Sequence, residues 1–364
     1  MKKKVAIIGT NGLPAKYGGF ETLVNYITLN LNNDHNLIVY CSKTSQENQL
    51  NEFNRSKLVY LPFKANGWQS LIYDAVSIFH ALLKFDVLII LGSSGVIAFP
   101  FKIFFNKKKI IFNIGGIEWQ KVRGTKFLAK IEVPLKKLFE KICVSFSDIV
   151  VADNKVIYDY VANNYNSECV LAEYGGDHAK FISISENKSE KYPFIKNQYD
   201  ISVSRAQEDM NIHVLLEAYK NIPERNLVII SNWEITEYGK NLKNEFKGRF
   251  KNIHLLDAIY DIDELNMLRS NASIYLHSHS LCGTAPSLVE AMFIGLPVIC
   301  FDVDTNRATT EEKSLYFNNA ASLSALLKEI DQNEIDKLGK RMKEIADRRY
   351  YWGRITEIYK NLIQ

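Results

Sequence analysis

The sequence predicts an α/β protein built from two Rossmann-like β/α/β domains, and three observations carry that prediction. Short apolar, strand-like runs alternate with helical segments, the order that gives a largely parallel, doubly wound sheet. The alternation breaks once, between about Glu173 and Gln198, where Gly175-Gly176-Asp177 leads into a polar, lysine-bearing stretch, and it then resumes. The chain has 364 residues, 47% of them hydrophobic, which is enough for two cores. The expected domains are 1–175 and 176–347, with a C-terminal helix at 348–364 packing back on the first.

The first strand, Val5-Ala6-Ile7-Ile8, runs into a glycine-rich loop from Gly9 to Gly19. Phe20, Leu23, Val24, Ile27 and Leu31 then recur at helical spacing, so the helix after the loop has one apolar face. The loop fits neither GxGxxG nor the Walker sequence, and its glycines suit backbone approach to a bound ligand. Further strands are expected at 37–41, 58–62, 86–91, 109–113 and 148–152, with a helix at 68–83. The apolar stretch 86–105 is long enough to suggest a membrane span. Gly92-Ser93-Ser94-Gly95 and Pro100 divide it into a strand and a short helix, so it reads as buried core. The second series has strands at 199–204, 227–231, 253–256, 273–277 and 298–301.

Residues 273–304 form the unit with the most chemical content. A strand leads through Gly283 to a helix with Thr284 as the expected N-cap and Pro286 in its first turn; Gly295-Leu296-Pro297 ends it before the next strand. Such a helix start, at the carboxyl edge of a parallel sheet, favours an anion such as a phosphate. Glu290, about one turn further on, suits hydrogen bonds from sugar hydroxyls.

A net charge of +4, without a basic repeat, does not point to nucleic acid. Five scattered cysteines without a CxxC pair indicate neither a disulfide framework nor a zinc site, and a reducing cytoplasm is expected. The basic start Met1–Lys4 leads into a strand too brief for a signal-peptide core, so export by a cleaved signal is not expected.

Several stretches together resemble a glycosyltransferase of the GT-B fold, retaining family 4, in the bacterial rhamnosyltransferase branch with a DUF1972-type N-terminal domain. They are GTNGLPAKYGGFET at 9–22, NIGGIEW at 113–119, SDIVVADN at 147–154, YGGD at 174–177, and HSHSLCGTAPSLVEAM with FDVDTNRATTEEKSLYF further on. The resemblance implies two Rossmann-like domains facing a central cleft, an N-terminal acceptor-binding half and a C-terminal half binding a nucleotide sugar. It implies donor contacts from Gly18, Gly19, Arg205, Gly283, Thr284, Pro286, Ser287 and Glu290, with Glu290 on the ribose and Arg205 on the diphosphate. Glu118, Arg205 and Asp209 are the implied catalytic residues; Glu118 is the carboxylate nearest to Gly115, where relatives carry Asp, and Asp209 is expected to stand for a glutamate that relatives carry hereabouts. Cys282, Met210, Ala285 and Ser278 also depart from the family pattern.

The implied activity is hexosyl transfer, metal-independent and retaining, of L-rhamnose from dTDP-rhamnose onto a polyprenyl-diphosphate-linked saccharide in O-antigen or capsule assembly. No cofactor is expected beyond the dTDP-sugar substrate. A UDP-hexose donor, or a catalytically silent protein that binds nucleotide sugar, stays open. His277 and His279 alternate at a strand end with Cys282 nearby, but a polar lining is favoured over a metal site. Lys102, Lys107, Lys108, Lys109, Lys121, Arg123, Lys126, Lys130, Lys136, Lys137 and Lys141, interleaved with Phe99, Phe101, Phe104, Phe105 and Phe127, suit peripheral docking at the inner face of the cytoplasmic membrane.

Overall fold

The computed structural model describes residues 2–15, 18–44, 49–120, 126–184 and 190–364. Lys16, Tyr17, Lys121, Arg123 and the side chains of Lys126 and Phe127, all part of the sequence reading, lie outside the described residues. The chain divides into two compact units, one of residues 1–173 with 352–364, the other of residues 174–351.

The first unit holds an eight-stranded sheet in the order β3-β4-β2-β1-β5-β6-β7-β8. Its strands are β1 (Lys4–Ile8), β2 (Asn36–Ser42), β3 (Glu52–Phe53), β4 (Ser56–Leu61), β5 (Val87–Leu91), β6 (Lys109–Asn113), β7 (Ile149–Ala152) and β8 (Cys169–Leu171). Among the described residues only β3 and β4 pair antiparallel. The central strand β5 is buried along its whole length, as a strand covered on both faces must be, which is why it reads as an unbroken apolar run. Helices α1 (Gly19–Leu31), α2 (Gln69–Lys84), α3 (Lys126–Ser145) and α4 (Lys155–Asn164) follow the strands they connect.

The second unit holds a six-stranded parallel sheet in the order β11-β10-β9-β12-β13-β14. These are β9 (Tyr199–Val203), β10 (Asn226–Ser231), β11 (Ile253–Asp257), β12 (Tyr275–His277), β13 (Val298–Phe301) and β14 (Leu315–Phe317). Its helices are α5 (Ile212–Lys220), α6 (Glu237–Phe246), α7 (Ile262–Ser270), α8 (Pro286–Ile294), α9 (Asp304–Thr309), α10 (Ala320–Glu329) and α11 (Gln332–Arg349). Numbered from β9, the strand order is 3-2-1-4-5-6, so the direction of winding reverses between β9 and β12, and ligands of open α/β sheets bind at the carboxyl ends of such a pair. The first unit repeats the pattern around β1 and β5.

The helix expected at 348–364 is two pieces. Arg348 and Arg349 end α11, and after Tyr350-Tyr351 a separate helix, α12 (Trp352–Ile363), belongs to the first unit. There Trp352 stacks on Tyr26 of α1 at 4.3 Å, and the Tyr359 hydroxyl accepts from Asn113 Nδ2 at 2.7 Å. The reading of 86–105 as buried core holds for β5 and only in part beyond it. In the 3-10 helix Val96–Phe105, Phe99 is buried against Phe112, whereas Ile97, Phe101, Ile103 and Phe104 are exposed.

Candidate functional site

In the second unit the implied donor residues gather at the carboxyl ends of β9 and β12. Arg205 follows β9; it is exposed and has no ion-pair partner among the described residues. Its charge is felt by His279, whose imidazole is pushed down to about 3 by burial first and by Arg205 second. His277 is likewise held well below the usual imidazole range by burial, and neither of its ring nitrogens has a partner among the described residues. Both rings are therefore neutral at neutral pH, with centroids 4.1 Å apart, and the charge of Arg205 acts on His279. The Ser204 and Ser231 hydroxyls, at the ends of β9 and β10, are buried without partners among the described residues.

The loop after β12 is fixed by its neighbours. The Asp209 carbonyl accepts from the Ser280 amide at 2.9 Å and hydroxyl at 3.0 Å, and Asn211 Nδ2 donates to the Ser278 carbonyl at 3.0 Å. Asn306 Nδ2 donates to the His279 carbonyl at 2.9 Å. Asp209 thus contributes its backbone to holding the loop that Gly283 and Thr284 continue. Thr284 is not the N-cap: it is buried, Ala285 occupies the cap without a side-chain bond, and Pro286 is the first helical residue with Ser287 next. Gly283 is not in the left-handed region, so it supplies space rather than an unusual turn. The α8 stop at Gly295 is as expected, with the Leu296 amide reaching back to the Ala291 carbonyl at 3.0 Å.

Glu290 is not an open carboxylate. Its Oε2 meets Arg269 of α7 at 2.6 Å and its Oε1 meets His178 Nε2 at 3.1 Å. Burial alone would raise this carboxyl, but Arg269 and His178 outweigh it and hold it below the usual range. Arg269 is 2% exposed, and its Nε and Nη1 find no partner among the described residues. Sequence reasoning missed both partners; the one signal for His178 was its place directly after YGGD.

His277, His279 and Cys282 bring their donor atoms within 4.8 Å of one another, the one such group of three among the described residues. Two neutral imidazoles and a thiol suit a soft divalent ion, but the guanidinium of Arg205 beside His279 opposes a cation.

In the first unit, Gly18 caps α1 and Gly19 begins it. A Cβ at Gly18, where φ is +124°, would lie 2.1 Å from Glu21 Oε2. Glu21, which the sequence reading passed over, is buried and its Oε1 accepts from the Asn11 amide at 2.9 Å and from Asn11 Nδ2 at 3.0 Å. Glu118 opens a single 3-10 turn, Glu118–Gln120, after β6. The neighbouring Trp119 donates to the Tyr160 hydroxyl at 3.1 Å and carries Lys137 over its ring at 4.1 Å. At Gly115 φ is +60°, and a Cβ would lie 2.4 Å from the tip of Phe20. The Phe20 ring therefore takes the space into which an aspartate at 115 would project.

The comparisons with known proteins fit this geometry. Residues 184–349 match the family described as glycosyl transferases group 1. The solved structure of sucrose-phosphate synthase from Thermosynechococcus elongatus superposes with a TM-score of 0.83 at 16% identity, covering 100% of this chain and 99% of that one. Anabaena HepE in complex with UDP and glucose gives a TM-score of 0.76 at 13% identity, covering 99% of each chain. A glycosyltransferase from Rickettsia africae gives 0.73 at 15% identity, covering 100% and 99%. No curated protein sequence matches the chain. Fold and family matches together support one class: the chain has the GT-B fold, and its second half is similar to the glycosyl transferases group 1. Residues 2–177 match the domain of unknown function DUF1972, so within that class it joins a DUF1972 half to a glycosyl transferases group 1 half.

Proposed function

We propose that the chain transfers L-rhamnose from dTDP-rhamnose to a hydroxyl of a lipid-linked saccharide during cell-surface polysaccharide assembly, at the inner face of the cytoplasmic membrane. The observation that carries the donor half of this reading is Arg205. It is an exposed guanidinium without an ion pair among the described residues, at the winding reversal of the second sheet, beside two neutral imidazoles and ahead of the α8 start. A planar fork in that position suits bidentate contact with a diphosphate. Glu290, held ionised by Arg269 and His178, keeps lone pairs for the ribose hydroxyls, because a carboxylate has about four acceptor sites.

Transfer would proceed with retention. The departing phosphate oxygen takes the acceptor proton as the glycosidic bond forms on the same face, so a side-chain base at Gly115 is not required. Arg205 and the N–H groups at the α8 start would carry the charge left on the diphosphate. A UDP-hexose is the second reading for the donor, favoured by the HepE structure with UDP-glucose. Thermal stabilisation by dTDP compared with UDP separates the two, since a ligand bound only to the native state raises stability by RT ln(1 + [L]/Kd). Indifference to both nucleotides would sink the donor assignment, and absence of transfer despite nucleotide binding would leave a silent binding protein. The product anomer, read by NMR, tests retention.

A further inference from the structure

The first unit leaves an unusual amount of apolar surface uncovered, and it lies on three adjoining elements. In α2, Ile72, Val76, Phe79 and Leu83 recur at helical spacing and are 40%, 41%, 46% and 54% exposed, while the opposite stripe, Tyr73, Ile78, Ala81 and Leu82, is buried. The 3-10 helix Val96–Phe105 packs against α2, with Phe79 and Phe101 meeting edge to face at 5.5 Å. It adds Ile97, Ile103 and Phe104, the last 78% exposed. Helix α3 packs on the same 3-10 helix and adds a second stripe, Ile131, Leu135 and Leu138.

Among the described residues of these three elements, the exposed charges left without an ion pair are all positive. The single acid of α2, Asp74, is buried, and the 3-10 helix has none. In α3, Glu132 pairs with Lys136 at 2.6 Å and Glu140 is buried, accepting from Tyr160 and Tyr165. Asp148, after α3, is taken by Lys102, which is therefore withdrawn from the basic set read in the sequence. Lys84, Lys107, Lys130 and Lys141 remain exposed around the apolar stripes. Among the described residues no helix is long and apolar enough to cross a membrane. Two helical stripes of large apolar side chains ringed by lysines with no ion pair among the described residues match the interface of an anionic bilayer, with aliphatic and aromatic groups at the acyl boundary and ammonium groups at the phosphates.

We propose that the exposed face of α2, Val96–Phe105 and α3 is the surface on which this chain inserts into an anionic lipid bilayer. The inference deepens the function above, naming the surface that meets the lipid bearing the acceptor, and rests on that reading only for the acceptor's identity. It is tested by sedimentation of the full chain with vesicles of phosphatidylglycerol and phosphatidylethanolamine, and with phosphatidylcholine vesicles as the neutral control. Trp68, 71% exposed at the start of α2, reports insertion through quenching by brominated acyl chains; Trp233 and Trp352 are buried, and a Trp68→Phe variant separates its signal from that of the half-buried Trp119.

The expected result is binding to the anionic vesicles, quenching of Trp68, and at least a tenfold loss of binding in the double variant Ile103→Asp, Phe104→Asp. Replacing Lys107, Lys130 and Lys141 together by Gln should weaken binding and flatten its salt dependence. Nucleotide stabilisation in solution should persist in all of these variants; if it fails in the parent protein while vesicles still bind, the donor reading falls and the docking surface stands. Wild-type binding by the Asp variant, or no binding by the parent chain, overturns the proposal. So does a dimer in sedimentation equilibrium that the Asp substitutions split, since a second copy would then cover the face.

Discussion

Glu290 shows how a single residue can be found in a sequence without its environment. Its place one turn into α8 was legible from helix signals nearby, but Arg269 and His178 come from distant stretches, and nothing local announces them. The triad changes what mutation should do. Removing one partner of a buried pair leaves an uncompensated charge at a cost of about 3–5 kcal/mol, so Glu290→Ala and Arg269→Leu should both lower the urea midpoint markedly, and Glu290→Gln less. Arg205→Ala, by contrast, should leave stability unchanged and weaken donor binding at least about tenfold, with Arg205→Lys a partial rescue. Equal stability losses at 205 and 290 would contradict the distinction. Asp74 is a second residue the sequence could not reveal, because its burial depends on the loop after β5. Its carboxyl is pushed up to about 7, by burial first, against a hydrogen bond from Ser94. The folded form therefore keeps its proton where the unfolded chain, near 4, has lost it. The resulting penalty is absent below about pH 4, grows between about 4 and 7, and is complete above, at roughly 4 kcal/mol. Asp74→Asn should flatten stability against pH in that window, as denaturant titrations at several pH values would show.

At the level of elements, apolar runs located the principal strands to within a residue or two. The strands left unnoticed were β3, β8 and β14, of two, three and three residues, too short to show a period. The cap of α8 was misplaced by one residue because Thr is the better intrinsic cap; burial of Thr284 leaves Ala285 to serve. The glycine at 115 was legible only as a missing carboxylate. In the structure it lies two residues beyond β6 and faces Phe20 of α1, so restoring the acid has a steric as well as a backbone cost. Gly115→Asp should destabilise by about 1–3 kcal/mol. A double-mutant cycle with Phe20→Ala should show that part of this cost is shared between the two positions; strict additivity would mean that the ring does not obstruct the new side chain.

For the whole molecule, the break in alternation after 173 disclosed two units, and the final aromatic-rich segment disclosed a return to the first. The division of that segment at Tyr350-Tyr351 was not visible, since both sides of it look helical. Deleting 352–364 removes the stacking partner of Tyr26 and the hydrogen bond to Asn113. Hydrogen exchange should then accelerate in β1, α1 and β6 and stay slow in β9 through β13; general acceleration would argue that the two units unfold together.

The return of α12 also sets an order of assembly on the ribosome. The second unit interrupts the first in the chain, so all of residues 174–351 must be translated before the helix that covers Tyr26 exists. At roughly 5–20 residues per second this is a delay on the order of ten seconds or more, during which the first sheet is formed but one flank of α1 is bare. The nascent chain is thus most vulnerable to chaperone capture or mispairing in the half made first, and the element that closes it emerges only after the second unit.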